Sequence, residues 1–252
     1  MRILLSNDDS LSSPFLLATA EALSKIGEVV IVVPAHEQSW IGRAYSRHKK
    51  LTLKSVDFFN FECHTIDGTP SDCVNIALNH LYKDALPDII VSGMNIGHNV
   101  GFPLLLSSGT FAAAVEGASH NILSFALSKH LDKKHYDSCR LRHEQVPLEL
   151  ETTLKNACNH AALFIEKTAK GNPIKSSCIY NLNYPSQFDS SSEFKFCKIA
   201  KVKTPSFYKQ NSEGNFEFQY AFGKALDNEV TDLFCIQNNI ASYSKINLYD
   251  LV

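Results

Sequence analysis

The sequence lacks several features that would place the protein in a specialised class. It has no apolar run near the ~20 residues of a membrane span, and its N-terminus lacks the charged, apolar and small-residue pattern of a signal peptide. The formal net charge is only -2, so the composition indicates neither a nucleic-acid surface nor a membrane surface. We therefore predict a cytoplasmic protein without a membrane partner or a stable nucleic-acid complex.

Cysteine and histidine usage excludes two further kinds of site. The seven cysteines are scattered, odd in number and never spaced as Cys-x-x-Cys, which disfavours a disulfide framework and a structural zinc site. The ten histidines are not paired at metal-ligand spacing either. We expect buried reduced thiols, and histidines that serve as surface or core residues.

Two phosphate-binding motifs are also missing. The glycine-rich segment from Gly93 to Gly101 has neither the G-x-G-x-x-G spacing nor a Gly-Lys-Ser/Thr sequence. Nucleotide cofactors of those types are therefore not predicted. The same glycines still allow backbone N–H groups to turn toward an anion, so this segment is a candidate anion cradle.

The sequence does contain an alternation of short apolar segments and amphipathic helices, which predicts an α/β fold with a mostly parallel sheet. Buried strands are predicted at residues 2–6, 28–33, 61–66, 88–92, 122–127 and 177–184. Helices are predicted to begin near Pro14, Ser71, Phe111 and Leu148, whereas residues 128–146 are predicted to be a loop. We expect a core over residues 1–185 and a β-rich C-terminal arm with closing strands over residues 186–252, without further helices.

Polar side chains follow three of the predicted strands. Asp8 and Asp9 follow the first strand, Ser39 follows the second, and Asn95 follows the strand at 88–92. Because the carboxyl ends of parallel strands meet at one edge of the sheet, we expect these side chains to lie close together. Their oxygens are ligands that suit Mg²⁺ or Mn²⁺ rather than zinc.

A second group of polar residues opens a predicted helix. Ser108, Gly109 and Thr110 lie at its N-terminus, where free N–H groups and the helix dipole favour a phosphate. The alternative is an ordinary Ser/Thr cap. The basic residues of segment 40–60 leave a similar choice between a solvated edge and a basic rim that attracts an anionic substrate.

Several segments, in order, resemble the motifs of the SurE survival-protein family. They are Asn7-Asp8-Asp9, Pro34 to Ser39, Gly68 to Val74, Ser92 to Gly97, and Ser108-Gly109-Thr110 with Ala113 to Gly117. The resemblance implies a Rossmann-like three-layer α/β/α core, an extended antiparallel arm, and a dimer or tetramer that exchanges C-terminal segments. It also implies metal-dependent 5′/3′-nucleotidase activity on nucleoside monophosphates, with the metal held by Asp8, Asp9, Ser39 and Asn95.

These observations give a mechanistic hypothesis in which Asp8 or Asp9 orients the attacking water. Candidate phosphate or substrate contacts are Asn7, Gly93, Asn95, Ser108, Gly109 and Thr110. One alternative is a phosphatase that forms an aspartyl-phosphate. Another is a catalytically weak nucleotide-binding or sensor protein, because Phe102–Ser107 is apolar and Ser10 stands where the family usually has glycine.

Overall fold

The computed structural model describes residues 1–140, 146–171, 176–189, 191–221, 223–226 and 229–251. Its strands are β1 (Arg2–Ser6), β2 (Glu28–Pro34), β3 (Leu53–Ser55), β4 (Glu62–Ile66), β5 (Ile89–Ile96), β6 (Leu123–Lys129), β7 (Cys178–Tyr184), β8 (Phe194–Phe196), β9 (Val202–Lys203), β10 (Tyr208–Gln210), β11 (Phe216–Phe218), β12 (Lys224–Ala225) and β13 (Ala241–Asn247). Its helices are α1 (Leu16–Ser24), α2 (Pro70–Ile76), α3 (Phe102–Ser107), α4 (Gly109–Ser119), α5 (Lys133–Arg140), α6 (Leu148–Gly171) and α7 (Asp232–Gln237). A π-helical turn (Ala77–Leu81) follows α2, and a 3-10 turn (Leu248–Leu251) follows β13.

The main sheet has nine strands in the order β3-β4-β2-β1-β5-β6-β7-β13-β8. Strands β4, β2, β1, β5, β6 and β7 run parallel, while β3 and β13 join this parallel block in antiparallel orientation. At the far edge, β8 pairs in parallel with β13. The predicted mostly parallel sheet is therefore confirmed.

Helices cover both faces of this sheet, as its continuous apolar strands require. Along β1, Ile3 and Leu5 pack in the core on one face, which also contains residues of α1 and α6. Leu4 points to the opposite face and packs with Val74 of α2 and Ala113 of α4. The three-layer α/β/α architecture follows from this alternation.

The first helix begins later than predicted. Its first residue is Leu16 rather than Pro14, and Phe15 occupies the cap position without a side-chain cap. The hydroxyl groups of Ser10 and Ser12 hydrogen-bond each other, and the backbone N–H groups of Ser13 and Leu16 close successive turns. The serines therefore stabilise a turn before the helix instead of capping it.

The predicted loop at residues 128–146 is wrong in two places. Strand β6 continues to Lys129, and helix α5 follows, with the N–H of His135 donating to Asp132 Oδ1 at 2.9 Å. This helix has only eight residues and few of them are apolar, so the sequence gave no clear helical signal. Residues 141–145 of that prediction lie outside the described part of the chain.

The C-terminal region also differs from the prediction, because it contains helix α7, which is capped by Thr231. Its six residues are too few for a periodic pattern to be recognised. Strands β10 and β11 form an antiparallel hairpin, as expected for a β-rich C-terminal arm. The division at residue 185 stays a prediction.

Two other expectations concern cysteines and membranes. All seven cysteines are free, and every one except Cys178 is buried, as expected for reduced thiols in a core. Among the described helices, none combines the length and apolar character needed to cross a bilayer.

Candidate active site

A cavity of about 420 Å³ opens at the carboxyl edge of the parallel sheet. Asp8 after β1, Ser39 after β2, Asn95 at the end of β5 and Ser108 before α4 all line it. The volume is in the range of about 300–1,000 Å³ that is usual for small-molecule sites. The structure thus brings together residues that the sequence placed at separate strand ends.

Asp8 is buried at the centre of the polar wall. Thr110 Oγ1 donates to Asp8 Oδ1 at 2.6 Å, and Gln38 N–H donates to the Asp8 carbonyl oxygen at 2.8 Å. Burial raises the pKa of the Asp8 carboxyl, the Thr110 hydrogen bond lowers it, and the charge of Glu37 raises it further. The net direction is upward, so Asp8 is a carboxylate whose negative charge is costly without a compensating cation.

The start of α4 approaches Asp8 very closely. A Cβ atom at Gly109 would lie 2.7 Å from the Asp8 Cβ and 2.9 Å from the Gln38 carbonyl oxygen, so only glycine fits there. Ser108 Oγ accepts from the Phe111 N–H at 3.0 Å. The Ser108 hydroxyl is therefore a helix cap, as the alternative interpretation held, although Ser108 also lines the cavity.

Asp9 and Asn7 lie behind the cavity wall rather than on it. Asp9 is buried, and its Oδ2 accepts from the Ile96 N–H at 3.2 Å. Asn7 Nδ2 donates to the Ser10 carbonyl oxygen at 2.9 Å, which holds the turn in which Ser10 has a φ of 66°. Asn7 Oδ1 is buried and has no hydrogen-bond partner among the described residues.

Gly93, which was a candidate substrate contact, does not line the cavity. Its φ is 121°, and a Cβ atom there would lie 2.3 Å from the Leu127 carbonyl oxygen. The need for glycine therefore comes from the close approach of β5 to β6. The predicted loop at this point is also partly wrong, because β5 continues to Ile96 and pairs with β6 on both sides of a bulge.

Glu37 is a site residue that the sequence analysis did not select. It lines the cavity, and its Oε1 accepts from Ser39 Oγ at 2.6 Å. Its signal was available, because it is an acidic residue in the same loop as Ser39. Glu37 thus adds a second carboxylate to the cavity lining, beside that of Asp8. It increases the negative potential of the polar wall and so favours a cation there.

The remaining lining of the cavity is largely aromatic and was not predicted; we call these residues the aromatic wall. It includes Trp40, His98, His130, Tyr136, Phe218 and Tyr220. His98 Nδ1 lies 3.1 Å from His130 Nδ1, and the Tyr220 hydroxyl lies 3.2 Å from His98 Nε2. Burial, and then the nearby His130, lower the pKa of His98 to about 3, so the ring is neutral near pH 7.

The basic segment 40–60 does not form a rim around this cavity. None of its lysine or arginine side chains is among the described lining residues, whereas Lys133 of α5 is. Arg43 Nη2 instead donates to Glu116 Oε2 of α4 at 2.9 Å. The segment therefore fits the solvated-edge alternative better.

The donor chemistry of the polar wall suits a hard divalent cation. Asp8, Ser39 and Asn95 present oxygen atoms to one cavity, and Asn7 Oδ1 is a buried acceptor without a partner among the described residues. The described residues contain no cluster of three or more His, Cys, Asp or Glu side chains arranged for a metal. The cavity lining supplies one aspartate, Asp8, plus hydroxyl and amide oxygens, with Asp9 buried behind it. Oxygen ligands with room for retained waters suit Mg²⁺ or Mn²⁺.

Comparison with known proteins identifies the family. The family model described as "Survival protein SurE" matches residues 3–206. The chain belongs to the SurE family. It is 32% identical to the 5′-nucleotidase SurE of Alkaliphilus metalliredigens over 100% of this chain and 94% of that relative. It is also 32% identical to the 5′-nucleotidase SurE of Campylobacter lari, over 98% of this chain and 92% of that relative.

The SurE fold is also found by structural comparison. A crystal structure of the SurE protein from Aquifex aeolicus matches with a TM-score of 0.77, covering 100% of this chain and 97% of that one. At 24% identity this similarity supports the fold alone. The predicted Rossmann-like core with a C-terminal hairpin is therefore confirmed.

The apolar segment Phe102–Ser107 lies beside the cavity. It forms the short helix α3, in which Leu105 is buried while Phe102 and Leu106 are exposed. Leu104 and Ser107 line the cavity. Leu104 thus extends the apolar part of the site.

Proposed function

We propose that this protein is a metal-dependent phosphomonoesterase that hydrolyses nucleoside 5′-monophosphates, and also 3′-monophosphates, to nucleoside and phosphate. The observation that carries the proposal is the convergence of Asp8, Ser39, Asn95 and Ser108 on one cavity at the carboxyl edge of a SurE-family sheet. Curated relatives named 5′-nucleotidase SurE support the substrate class.

Each polar residue has a role in this proposal. Asp8 and Asp9 would hold the cation, with Ser39 and Asn95 completing the protein ligands. A bound Mg²⁺ or Mn²⁺ would supply charge neutralisation and an acidified water. Thr110 fixes the Asp8 carboxylate through the 2.6 Å hydrogen bond, so that this group is oriented before a water binds.

The substrate phosphate would lie between the start of α4 and the mouth of the cavity. Ser108 lines this side, and Lys133 of α5 offers a positive charge to the anion. The nucleoside would then extend toward the aromatic wall. We propose that the cation is Mg²⁺ or Mn²⁺.

Phosphate release from a nucleotide panel tests the function. The full chain is assayed with 5′- and 3′-monophosphates of all four bases in Mg²⁺, in Mn²⁺ and in EDTA. We expect turnover of nucleoside monophosphates with either metal and loss of turnover in EDTA. Tight nucleotide binding without phosphate release would favour a sensor protein, and trapping of a phosphorylated Asp8 or Asp9 peptide would favour an aspartyl-phosphate mechanism.

We also propose that the protein is a cytoplasmic homo-oligomer, a dimer or tetramer, without a stable nucleic-acid or membrane partner. The proposed C-terminal unit, residues 186–252, would contribute to the contacts between subunits. Light scattering of the purified chain tests this part, and a monomeric mass at micromolar concentration would contradict it.

A further inference from the structure

Trp40 has an unusual position in the cavity. It is the one tryptophan of the sequence, it directly follows the candidate ligand Ser39, and it lines the cavity with 41% of its surface exposed. Its φ is 62°, a left-handed conformation that bulky residues rarely adopt. A large apolar side chain is thus held, partly exposed, in a conformation that favours glycine.

The loop that carries Trp40 is fixed on both sides. Before it, the Gln38 N–H donates to the Asp8 carbonyl oxygen at 2.8 Å. After it, the Gly42 N–H donates to the Ser107 carbonyl oxygen at 2.9 Å. The indole is therefore held at a defined place relative to Asp8 and the end of α3, and a ligand would not need to order this loop.

The aromatic contacts that Trp40 makes with Phe207, Phe218 and Tyr220 are edge or tilted contacts. Its ring centroid lies 5.3 Å from that of Phe207, 4.9 Å from Phe218 and 6.0 Å from Tyr220, with interplanar angles of 63°, 66° and 60°. None of these three contacts is a parallel stack, and 41% of the Trp40 surface is exposed. A flat aromatic ligand in the cavity would therefore add a parallel contact that none of these residues makes with the indole.

The two walls together match a ligand with an anionic end and a flat aromatic end. Asp8, Ser39 and Ser108 belong to the polar lining of the cavity, while Trp40 and Tyr220 belong to its aromatic lining. A small phosphate ester would use only the polar lining. A nucleotide would use both, because every base has a face that stacks on an aromatic side chain.

We propose that Trp40 is a specificity-determining residue that binds the nucleobase by stacking and favours purine nucleotides over small phosphate esters. This inference rests on the proposed nucleotidase function. A purine covers more of the indole than a pyrimidine does, so the selectivity should follow base size. The competing interpretation is that Trp40 only anchors the hairpin through Phe207 and Phe218.

Kinetics of three variants separate these interpretations. Trp40→Gly removes the ring and suits the left-handed backbone, Phe207→Ala removes a hairpin contact of Trp40 that does not line the cavity, and Phe216→Ala changes an exposed hairpin residue as a control. Values of kcat/KM are measured for AMP, UMP and ribose 5-phosphate in the presence of the activating metal.

For Trp40→Gly, we expect kcat/KM for AMP to fall about tenfold or more, mainly through KM, with a smaller loss for UMP and little change for ribose 5-phosphate, which has no aromatic ring. Phe207→Ala and Phe216→Ala should keep the wild-type ratio of AMP to ribose 5-phosphate. Equal losses for all three substrates in Trp40→Gly, or the same change of ratio in Phe207→Ala, would overturn the proposal.

Fluorescence gives a second measurement that does not depend on turnover. Because Trp40 is the one tryptophan, emission of the wild-type chain reports this position directly. AMP should quench the emission saturably, whereas ribose 5-phosphate, which lacks the base, should not. Turnover without selective quenching refutes the role of Trp40 alone; selective quenching without turnover refutes the nucleotidase function and leaves base stacking supported.

Discussion

The two walls of the cavity are built in different ways. The polar wall comes from strand ends, and Asp8, Ser39 and Asn95 each follow or finish a parallel strand of one sheet. The aromatic wall instead combines Trp40 with Phe218 and Tyr220, which lie more than a hundred positions further along the chain. The polar wall is positioned by sheet topology, whereas the aromatic wall also depends on how the C-terminal hairpin packs against Trp40.

The walls also differ in rigidity and chemistry. Asp8 is buried and held by hydrogen bonds from Thr110 and Gln38, whereas Trp40 is partly exposed and held by aromatic contacts. The polar wall suits a cation and a phosphate group, and the phosphate group is common to all phosphomonoester substrates. In the proposed binding mode the aromatic wall contacts the base, which is the part of the substrate that varies, so substitutions there should change selectivity more than chemistry.

The largest expected effect comes from the polar wall. Asp8→Asn keeps the side-chain shape and an acceptor for Thr110 but removes the negative charge that would hold the cation. We expect metal-dependent phosphate release to fall at least about 100-fold. Asp9→Asn should also lose activity, and Asp57→Asn, at an exposed position, serves as the matched control.

Stability should move in the opposite direction for Asp8→Asn. Because burial raises the pKa of the Asp8 carboxyl, its charged form is costly, and the neutral variant should have an unchanged or higher Tm without metal. Thermal unfolding monitored by circular dichroism checks this. Wild-type turnover in both aspartate variants would contradict the assignment of the polar wall.

A smaller effect is expected where the C-terminal segment meets the glycine-rich segment. Asp232 is buried, and its carboxylate accepts from the N–H groups of Gly101 at 2.9 Å and Ala200 at 2.8 Å. Asp232→Ala leaves these buried donors without an acceptor, so the free energy of unfolding should fall by about 2–4 kcal/mol. Urea unfolding measures the loss, with Asp57→Ala as the control.

The same variant also tests whether the aromatic wall is a separate unit. If it depends on this anchor, Trp40 emission in Asp232→Ala should change at lower urea than the far-UV circular dichroism signal does. Coincident transitions would show that the wall unfolds with the sheet.

Regular elements with strong patterns could be predicted from the sequence. Strand β1 occurs as predicted, and α6 at Leu148–Gly171 is within two residues of the prediction, because a buried apolar run and a long amphipathic pattern are both decisive signals. Helices α5 and α7 were missed because they are short and depend on side-chain caps and tertiary packing. The extension of β5 was missed because its pairing with β6 is non-local.

The candidate site divides in the same way. The meeting of Asp8, Ser39 and Asn95 follows from the rule that parallel strands end at one edge, so sequence reasoning could reach it. The same rule applies to His98 and His130, which follow the neighbouring parallel strands β5 and β6. Tyr220 lies 122 positions from His98 and follows no strand of the main sheet, so its contact with His98 could not be predicted in this way. The catalytic role predicted for Asp8 and Asp9, and the metal-binding role predicted for Asp8, Asp9, Ser39 and Asn95, stay predictions.

The smallest expected effect concerns the histidine pair. Burial lowers the pKa of His98 to about 3, below its value in the unfolded chain, so the unfolded state binds the extra proton first as the pH falls. Stability is therefore lost from about pH 6.5 downward. His130, whose pKa is also lowered by burial, acts in the same direction.

Replacing His98 should reduce this acid sensitivity. Between pH 7 and pH 5, the wild-type free energy of unfolding should fall by about 1 kcal/mol more than that of His98→Gln, a modest figure because His98 is only half-buried. Urea titrations at each pH measure the difference, and His36→Gln, at an exposed position, should follow the wild type. Identical pH profiles for wild type and His98→Gln would mean that the pKa of His98 is the same in the folded and unfolded chain, and would contradict its burial in the aromatic wall.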